Sequence, residues 1–323
     1  MMRRRSLLAA PLLAAPAFAQ SWRPARPVRV IVPVAPGGTT DIIGRIVAQH
    51  LQTLWGGPVV VENRPGAGGT IGSAEMARAR PDGLTLLSGN IGSQAIAYSL
   101  FRNLPYTMAQ QTPIIGTIRG PNVLACHNDV PARNLAEFVA WLRGQRGRAA
   151  FGSTGVGQST HLTPVWMLQL LGVEAVHVPF RGSAPMQTDL LAGNVKFAID
   201  NLTGIIELVR SGRVRALAVT SAGRSPQLPD IPAMREAGGE LANFDVNTWF
   251  GIFAPPGLPE PALRGINADI RAMLEMPATQ ARFAELGGVA FPNTPEEFAG
   301  FVRDEARRWG EVIRREGLQL DAV

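Results

Sequence analysis

Residues 28–41 read Val28-Arg29-Val30-Ile31-Val32-Pro33-Val34-Ala35-Pro36-Gly37-Gly38-Thr39-Thr40-Asp41. A β-branched run, typical of a buried strand, passes directly into two glycines and two threonines. The three- and four-residue spacing of apolar residues from Ile42 to Leu54 then predicts a helix. Glycines let the backbone turn sharply, and the first residues of a helix present unpaired N–H groups at the positive end of its dipole. The segment therefore predicts a strand, a loop and a helix that together form an anion site.

Thr39, Thr40 and Asp41 also fit a cluster of N-cap residues. We favour the capping interpretation for Asp41, because a carboxylate at a helix start stabilises the helix and would repel a bound anion. Backbone N–H groups between Gly37 and Thr40 would then bind the anion, while Asp41 would hold the turn.

Strand-like and helix-like segments alternate along the rest of the chain, which predicts an α/β fold. The predicted strands are residues 28–34, 58–62, 84–88, 148–151, 176–179, 198–201 and 214–220. Two groups of strands end in Gly-rich or hydroxyl-bearing loops, one before about residue 118 and one after about residue 150. Since ligands of open α/β sheets lie beyond the carboxyl ends of the strands, two such sheets facing each other would form a cleft.

We expect a two-lobed fold in which each lobe is a mostly parallel sheet flanked by helices. A chain of 323 residues is long enough for two domains. Crossings between the lobes are expected near Thr117–Asn122 and near Thr248–Gly251. Lobe 1 would comprise residues 20–119 and 249–323, and lobe 2 would comprise residues 120–248.

Residues 1–19 have the composition of a secretory signal peptide. Three arginines precede an apolar run from Leu7 to Phe18, and Ala17 and Ala19 are the small residues before a cleavage site. We expect export to the periplasm through the Sec route, with the twin-arginine route as the less favoured alternative, and a mature chain that begins at Gln20. Loss of the three arginines lowers the net charge from +6 to +3.

Charge and reactive side chains exclude several classes of protein. All basic residues except Lys196 are arginines scattered along the chain, so we expect no nucleic-acid surface. The one cysteine, Cys126, cannot form an internal disulfide, and the four histidines show no metal-ligand spacing. We therefore expect no metal, no cofactor and no catalytic residue, and a monomer held together by its core.

Two enzyme motifs are present only in part. The segment Gly66–Ile71 begins like a dinucleotide fingerprint, but Ile71 occupies the place of the last small residue. No Gly-x-Ser-x-Gly sequence occurs, and Ser159 and His161 lie too close along one helix to form a catalytic pair. An exported hydrolase or isomerase that uses Asp200 and His161 stays open as an alternative from another class.

Six short segments follow one another in a characteristic order. They are residues 32–41 (Val-Pro-x-Ala-Pro-Gly-Gly-x-x-Asp), 62–69 (Glu-Asn-Arg-Pro-Gly-Ala-Gly-Gly), 80–83 (Arg-Pro-Asp-Gly), 177–185 (His-Val-Pro-Phe-Arg-Gly-Ser-Ala-Pro), 215–220 (Arg-Ala-Leu-Ala-Val-Thr) and 249–251 (Trp-Phe-Gly). In this the chain resembles the Bug-type solute receptors, the periplasmic binding proteins of tripartite tricarboxylate transporters. The resemblance implies a two-lobed Venus-flytrap fold and a ligand carboxylate held largely by backbone N–H groups and bridging waters.

The chain departs from the pattern of this family at three places. Val34 stands where an aromatic residue is usual, Pro164-Val165 where a Gly-Glu pair is frequent, and Phe180 where a tyrosine is usual. These differences imply a wider or differently shaped mouth and a more apolar wall in the second lobe. Pro164 is expected in the first turn of its helix, where a missing N–H is tolerated.

Glycines and polar residues at the predicted strand ends are the candidate ligand-binding residues. They are Gly37, Gly38, Thr39, Thr40, Asn90, Ser93, Thr154, Gly155, Ser159, Gly182, Ser183, Ala184, Asp200 and Asn201. The glycine loop would donate backbone N–H groups, and Asp200 or Asn201 would orient the distal end of the ligand.

We expect a periplasmic, non-enzymatic receptor that captures a small carboxylate, an organic acid or an amino acid. Its partners would be this ligand and the membrane permease subunits of a tripartite tricarboxylate-type transporter. A ligand sensor that docks on a signalling partner is an alternative that the residues alone do not separate from the transport role.

Overall fold

The computed structural model describes residues 22–315 and 317–321, so the predicted signal peptide and its boundary at Gln20 lie outside the described residues. The strands are β1 (Val28–Val32), β2 (Val59–Asn63), β3 (Thr85–Asn90), β4 (Thr112–Cys126), β5 (Ala150–Ser153), β6 (Val176–Pro179), β7 (Phe197–Asn201), β8 (Arg215–Val219), β9 (Asn247–Ala254) and β10 (Val289–Ala290). The α-helices are α1 (Thr39–Trp55), α2 (Thr70–Ala77), α3 (Ala97–Leu100), α4 (Leu135–Gln145), α5 (Ser159–Leu170), α6 (Ser183–Leu191), α7 (Leu202–Arg210), α8 (Glu260–Glu275), α9 (Pro277–Glu285) and α10 (Pro295–Arg315). Short 3-10 helices cover Ala67–Gly69, Met108–Gln110, Met234–Ala237 and Gly239–Leu241, and a π-helix covers Gly92–Ile96. Within the described ranges, no helix is long and apolar enough to cross a membrane.

Lobe 1 is built on the parallel strands β2, β1 and β3, which neighbour one another in that order. Helix α1 packs on this sheet through Ile43, Val47 and Leu51, which are fully buried and recur at every fourth position. Gly56 in the left-handed conformation ends the helix, and its N–H donates to the Gln52 carbonyl. The glycine loop consequently lies at the carboxyl end of β1, as the sequence predicts.

Lobe 2 repeats this arrangement with the parallel strands β7, β5 and β6. Helices α5, α6 and α7 follow β5, β6 and β7 in turn, so each helix begins near the carboxyl end of a strand. Helix α5 begins at Ser159 and α6 at Ser183. The prediction for Pro164 is therefore wrong, because this residue lies inside α5 and beyond its first turn.

The antiparallel strands β4 and β9 form a ribbon that joins the two lobes. From Thr112 to Pro121, β4 pairs with β9, and from Asn122 to Cys126 it pairs with β7 and β8. The sheet order is β2-β1-β3-β9-β4-β7-β5-β6, and β8 and β10 also pair with β4. The predicted α/β fold is confirmed, and its sheet is mixed because β9 runs antiparallel to β3 and β4 runs antiparallel to β7.

Aromatic packing holds α10 against the ribbon. The ring of Trp249 meets Phe298 and Phe301 edge-on, with centroids 5.8 and 5.5 Å apart. Trp249 Nε1–H donates to Glu305 at 3.1 Å, so the carboxylate has a partner although burial raises its pKa. Gly251 on the same strand leaves space for Phe298 to lie directly on the sheet.

A groove of about 750 Å³, which we call the rear groove, lies beside the ribbon. Its floor is made by Arg119–Pro121 of β4 and Asn247–Trp249 of β9. One wall comes from the lobe 2 segment 221–227, and the other from the lobe 1 segment 284–289 and from α10. Both lobes and the ribbon therefore contribute to the rear groove.

We expect Gly251→Ala to lower the stability of the protein. A Cβ atom at this position would lie 2.2 Å from the Phe298 ring and 2.8 Å from the Ile115 carbonyl oxygen. Overpacking of this kind lowers the free energy of unfolding by about 1–3 kcal/mol, measurable by urea unfolding. Gly223→Ala is the control, since no atom lies within 4 Å of its Cβ position, and it should stay within about 0.5 kcal/mol of wild type. Equal stability of the two variants would contradict this account of the packing.

Candidate functional site

The two lobes enclose a small cavity at the carboxyl ends of their parallel strands, which we call the inner cavity. It is lined by Val34, Gly38, Thr39, Thr40, Asn90, Ile91, Thr154, Gln158, Ser159, Gly182, Ser183, Asn201, Thr248 and Phe250. Its volume is about 20 Å³, which is room for about one water molecule. The lobes therefore lie close together at this point.

Four helices begin at the inner cavity. The residues Gly38, Gln158, Gly182 and Asn201 are the N-caps of α1, α5, α6 and α7, and all four line the cavity. The first N–H groups of a helix have no partner within it, and its N-terminus carries a positive partial charge. No acidic side chain is among the described residues that line the cavity. Four such helix ends around one buried space favour a bound anion.

Two buried polar atoms at the inner cavity, Thr39 Oγ1 and Asn201 Oδ1, have no hydrogen-bond partner within the described part of the chain. Thr39 is 1% exposed and Asn201 is 9% exposed, so bulk water does not reach these atoms. An unsatisfied buried polar group costs about 1–3 kcal/mol. A carboxylate in the cavity can remove the penalty at Thr39, because the hydroxyl of Thr39 can donate to a carboxylate oxygen, whereas Asn201 Oδ1 accepts and needs a donor.

Asp41 stabilises the glycine loop. Its carboxylate accepts hydrogen bonds from the Gly37 N–H at 3.0 Å and from Asn63 Nδ2 at 2.9 Å, and it pairs with Arg45 at 3.0 Å. Burial raises the pKa of Asp41, but the hydrogen bonds from Arg45, Gly37 and Asn63 outweigh burial and bring the pKa below its usual value. The prediction that Asp41 holds the turn is confirmed. The capping assignment is corrected, because Gly38 is the N-cap and Asp41 is the third residue of α1.

Asn90 and Thr154 line the inner cavity, but their side chains are engaged within their own lobes. Asn90 Nδ2 donates to Thr40 Oγ1 at 3.1 Å, and its Oδ1 accepts from the Gly92 N–H at 2.9 Å. Thr154 Oγ1 lies 2.7 Å from Thr160 Oγ1. These bonds fix the shape of the cavity wall.

Asp200 is fully buried and does not line the inner cavity. Its carboxylate accepts hydrogen bonds from Gln187 Nε2 at 3.0 Å and from the Asn201 N–H at 2.8 Å, and the Ser183 side chain also bonds it. Burial raises the pKa of Asp200 to about 6, although these hydrogen bonds oppose the shift. Since Ser183 lines the cavity, Asp200 acts as a positioning residue for it.

A second cavity of about 530 Å³, which we call the outer cavity, adjoins the first. It is formed by Pro33, Val34, Phe101 and residues from the segments 65–71, 154–158 and 179–181. Val34, Thr154 and Gln158 line both cavities, so the two cavities adjoin within one cleft. The glycine-rich segment that begins like a dinucleotide fingerprint is thus one wall of this cleft.

The lobes touch through contacts that leave little room for side chains. Gln158 Nε2 of lobe 2 donates to the Gly68 carbonyl of lobe 1 at 2.5 Å. A Cβ on Gly68 would lie only 2.0 Å from the Val156 carbonyl oxygen, and the φ of Gly68 is +62°. A Cβ on Gly38 would lie 3.3 Å from Ser183 Oγ. The glycine loop and the segment 182–184 therefore face each other across the cleft.

Comparison with known proteins assigns the chain to a family. The profile of the tripartite tricarboxylate transporter family receptors matches residues 43–318. The chain belongs to this family. It is similar to protein BugT of Bordetella pertussis, with 35% identity over 312 residues that cover 95% of this chain and 94% of BugT. The resemblance to Bug-type receptors is confirmed.

Solved structures of relatives share the fold. The periplasmic binding protein BugD is 34% identical, with a TM-score of 0.88 over 92% of this chain and 100% of BugD. The structure of Rpa4515 from R. palustris with adipate is 32% identical, with a TM-score of 0.89 over 92% of this chain and 99% of the other. The predicted fold of a two-lobed periplasmic binding protein is confirmed, and these relatives are binding proteins.

The structure brings most of the predicted site residues of this receptor together. Those at the inner cavity are Gly38, Thr39, Thr40, Asn90, Thr154, Ser159, Gly182, Ser183 and Asn201. Gly155 lies at the outer cavity. Ten of the predicted residues therefore share one cleft although they come from both lobes.

Gly37, Ser93, Ala184 and Asp200 line neither cavity. Gly37 and Ala184 still face each other across the cleft, since a Cβ on Gly37 would lie 3.6 Å from the Ala184 Cβ. The Gly37 N–H is already bonded to Asp41. Ser93 is fully buried, and its Oγ accepts from Gln94. Ala184 is exposed and offers no polar side-chain atom, and Asp200 is bonded within lobe 2.

Five residues at the inner cavity are not among the predicted ligand-binding residues: Val34, which the sequence placed only at the mouth, and Ile91, Gln158, Thr248 and Phe250. Ile91 directly follows Asn90, and Gln158 directly precedes Ser159. Their positions next to predicted residues could have indicated that they line the cavity. Thr248 and Phe250 belong to β9 and reach the cavity only because β9 inserts between β3 and β4. No local pattern indicates that placement.

The alternative catalytic pair, Asp200 and His161, is not assembled. His161 stacks on His177 with ring centroids 4.0 Å apart, and its Nδ1 accepts from the Gly157 N–H at 3.2 Å. Burial, together with the neighbouring His177, lowers the pKa of His161 to about 3. Neither His161 nor Asp200 lines the inner or the outer cavity.

The raised pKa of Asp200 predicts a pH-dependent stability. The folded state holds this proton more tightly than the unfolded state, whose usual value is 3.8. Protonated Asp200 therefore contributes to the free energy of unfolding in full below about pH 4, and this contribution is lost as the pH rises through about 6. At 1.36 kcal/mol per pKa unit, the contribution amounts to roughly 3 kcal/mol. Asp200→Asn should therefore gain stability relative to wild type between pH 4 and pH 7.5, as measured by urea unfolding of the ligand-free protein. Asp304→Asn, on the exposed face of α10, is the control. Parallel pH profiles for wild type and Asp200→Asn would contradict the assignment.

Proposed function

We propose that this chain is a periplasmic solute-binding receptor that captures a small carboxylate, an organic acid or an amino acid, between its lobes. The observation that carries the proposal is the convergence of four helix N-termini on a buried cavity whose described lining has no acidic side chain. The relative Rpa4515, whose structure is described with adipate, supports a carboxylate as the ligand.

The bound carboxylate would occupy the inner cavity. Backbone N–H groups from Gly38 to Thr40 in lobe 1, and at Ser159 and Ser183 in lobe 2, would donate to it, together with the Thr39 hydroxyl and the side-chain Nδ2 of Asn201. Because the donors belong to both lobes, the ligand makes all of its contacts only when the lobes are close, so binding and closure are linked. Exclusion of water from the closed cavity strengthens each of these interactions.

A carboxylate needs more room than one water molecule, so the lobes must separate slightly from the arrangement described here. We propose that lobe 1 comprises residues 20–119 and 249–323 and that lobe 2 comprises residues 120–248. The change of partner of β4 between Pro121 and Asn122 supports these limits to within a few residues. The ribbon of β4 and β9 would be the hinge about which the two lobes rotate.

The receptor would deliver its ligand to the membrane permease subunits of a tripartite tricarboxylate-type transporter. The match to the tripartite tricarboxylate transporter family receptors supports this partner. It would act in the periplasm as a monomer, without a cofactor, a metal or a nucleic-acid partner, after export by the signal peptide of residues 1–19. It would not be an enzyme, because His161 and Asp200 are bonded within their own lobe and away from the cleft.

A matching carboxylate should raise the melting temperature of the protein. At a concentration of one hundred times Kd, mass action adds about 2.7 kcal/mol, which corresponds to a rise of roughly 5–10 °C. The test is a thermal-shift series with a panel of carboxylates and the uncharged amides of the same acids, and the amides should produce little shift. A shift with neutral sugars and none with any acid would contradict the carboxylate-receptor proposal.

Gly38→Asp should strongly weaken carboxylate binding while the protein stays folded. Two like charges 4 Å apart repel by about 4 kcal/mol at an effective dielectric constant of 20, which weakens carboxylate binding on the order of a thousandfold. Gly38 has φ of −86°, and an Asp side chain is a favourable N-cap, so the ligand-free protein should keep its melting temperature within a few degrees.

The matched control is Gly38→Asn, which has the same shape, is also a good N-cap and carries no charge. Titration calorimetry with the best acid of the panel should show a much larger loss for the Asp variant than for the Asn variant. If the Asp and Asn variants bound the acid equally well, charge repulsion at residue 38 would not explain the loss of affinity.

A further inference from the structure

Gln158 connects the two lobes at the cleft. It is the N-cap of α5 in lobe 2, it is 5% exposed, and its Nε2 donates to the Gly68 carbonyl of lobe 1. Its backbone carbonyl accepts from the N–H groups of His161 and Leu162. The residue is therefore anchored at the first turn of α5, and its side chain extends into the opposite lobe.

Three glycines of lobe 1 surround the Gln158 amide, and we call them the latch pocket: Gly68, Gly69 and Gly92. A Cβ on Gly92 would lie 2.6 Å from Gln158 Oε1 and 2.8 Å from its Nε2, and a Cβ on Gly69 would lie 3.5 Å from Nε2. A methyl group at position 92 would therefore occupy the place of the amide. The amide fits the latch pocket because these residues have no side chain.

The latch pocket adjoins the lobe 1 wall of the inner cavity. The Gly92 N–H donates to Asn90 Oδ1, and Asn90 Nδ2 donates to Thr40 Oγ1. Gly92 itself lines neither cavity. On the lobe 2 side, Gln158 directly precedes Ser159, whose N–H is one of the proposed donors to the ligand. A carboxylate in the inner cavity therefore lies beside the contact that holds α5 against lobe 1.

Another side-chain hydrogen bond between the lobes lies at the rear groove. There Arg308 donates to the Asp245 carbonyl, and both residues line the groove. In the proposed rotation about the ribbon, opening of the cleft would bring the walls of the rear groove together, whereas it would separate Gln158 from Gly68. Opening therefore breaks the Gln158 contact.

We infer that Gln158 is a latch residue, whose amide enters the latch pocket when the lobes close and thereby sets the rate at which a bound carboxylate leaves. Because the side chain is long and flexible, the amide can stay in the pocket while the lobes separate by the small distance that a carboxylate needs. This inference rests on the proposed carboxylate-receptor function and adds a positioning residue that acts on lobe closure. Affinity changes at such a residue appear mainly in the dissociation rate.

Gln158→Ala tests the latch with adipate, malate and glutamate as probes. Loss of one hydrogen bond should raise Kd about fivefold, mostly through faster release of radiolabelled acid into an excess of unlabelled acid. The factor should be the same for the three acids, because the latch pocket lies outside the inner cavity. Without acid, small-angle X-ray scattering should give a larger radius of gyration than for the wild-type protein, since the lobes are held together less firmly.

Gly92→Ala tests the latch from lobe 1. Its methyl group would displace the Gln158 amide, so Kd should rise at least as much as in Gln158→Ala. The φ of Gly92 lies outside the left-handed region, so the ligand-free variant should melt within a few degrees of wild type. Gly144→Ala in α4 is the matched control, since no atom lies within 4 Å of its Cβ position, and it should bind each acid as the wild-type protein does.

The double variant with Gly92→Ala and Gln158→Ala completes a mutant cycle. The shortened side chain at position 158 leaves room for the methyl group at position 92. The double variant should therefore bind no more weakly than the weaker single variant, roughly tenfold below wild type at most. Independent effects would instead multiply to about twenty-five-fold or more.

Multiplication of the two losses would overturn the inference, as would wild-type affinity in Gly92→Ala or a loss in Gln158→Ala that differs among the three acids. In each of these cases the acids still bind, so the proposed carboxylate-receptor function survives. Failure of the wild-type protein to bind any carboxylate would instead refute the proposed function itself, and the inference with it.

Discussion

A single strand, β4, takes part in the sheets of both lobes. It pairs with β9 up to Pro121 and with β7 from Asn122 onward, and strand pairing leaves little freedom in register. The carboxyl ends of β1 and β3 are thereby held opposite those of β5, β6 and β7. Because a helix follows β1 and each of β5, β6 and β7, the helix N-termini meet in the space between the lobes. The inner cavity is a consequence of this topology.

The electrostatics of the inner cavity come from the backbone. The acid nearest to the glycine loop, Asp41, is neutralised by Arg45 and its oxygens are occupied by Gly37 and Asn63. Asp200 is turned away from the cavity and bonded to Gln187. The field inside the cavity is therefore dominated by helix dipoles, which act without long charged side chains that would have to be ordered on binding.

Local patterns in the sequence were sufficient to predict the fold class, the glycine loop and the loops at the strand ends, because strand, turn and helix-start signals are short-range. The assignment of Asp200 and Asn201 could not be made in the same way. Successive residues of a strand point to opposite faces, and the sequence does not say which of two adjacent polar residues faces the cleft. Here Asn201 lines the cavity and Asp200 does not. Thr248 and Phe250 escaped prediction because only the insertion of β9 between β3 and β4 brings them to the site.

Thr248 borders the inner cavity on one side of β9 and the rear groove on the other. The walls of the rear groove belong to different lobes, and its floor is the ribbon about which the lobes would turn. In the proposed rotation of the lobes about this ribbon, opening the cleft would narrow the rear groove. In the arrangement described here the inner cavity is nearly closed and the rear groove is wide. Bulk added to the groove would oppose opening of the cleft, so residues remote from the ligand would affect its affinity by shifting the equilibrium between open and closed lobes.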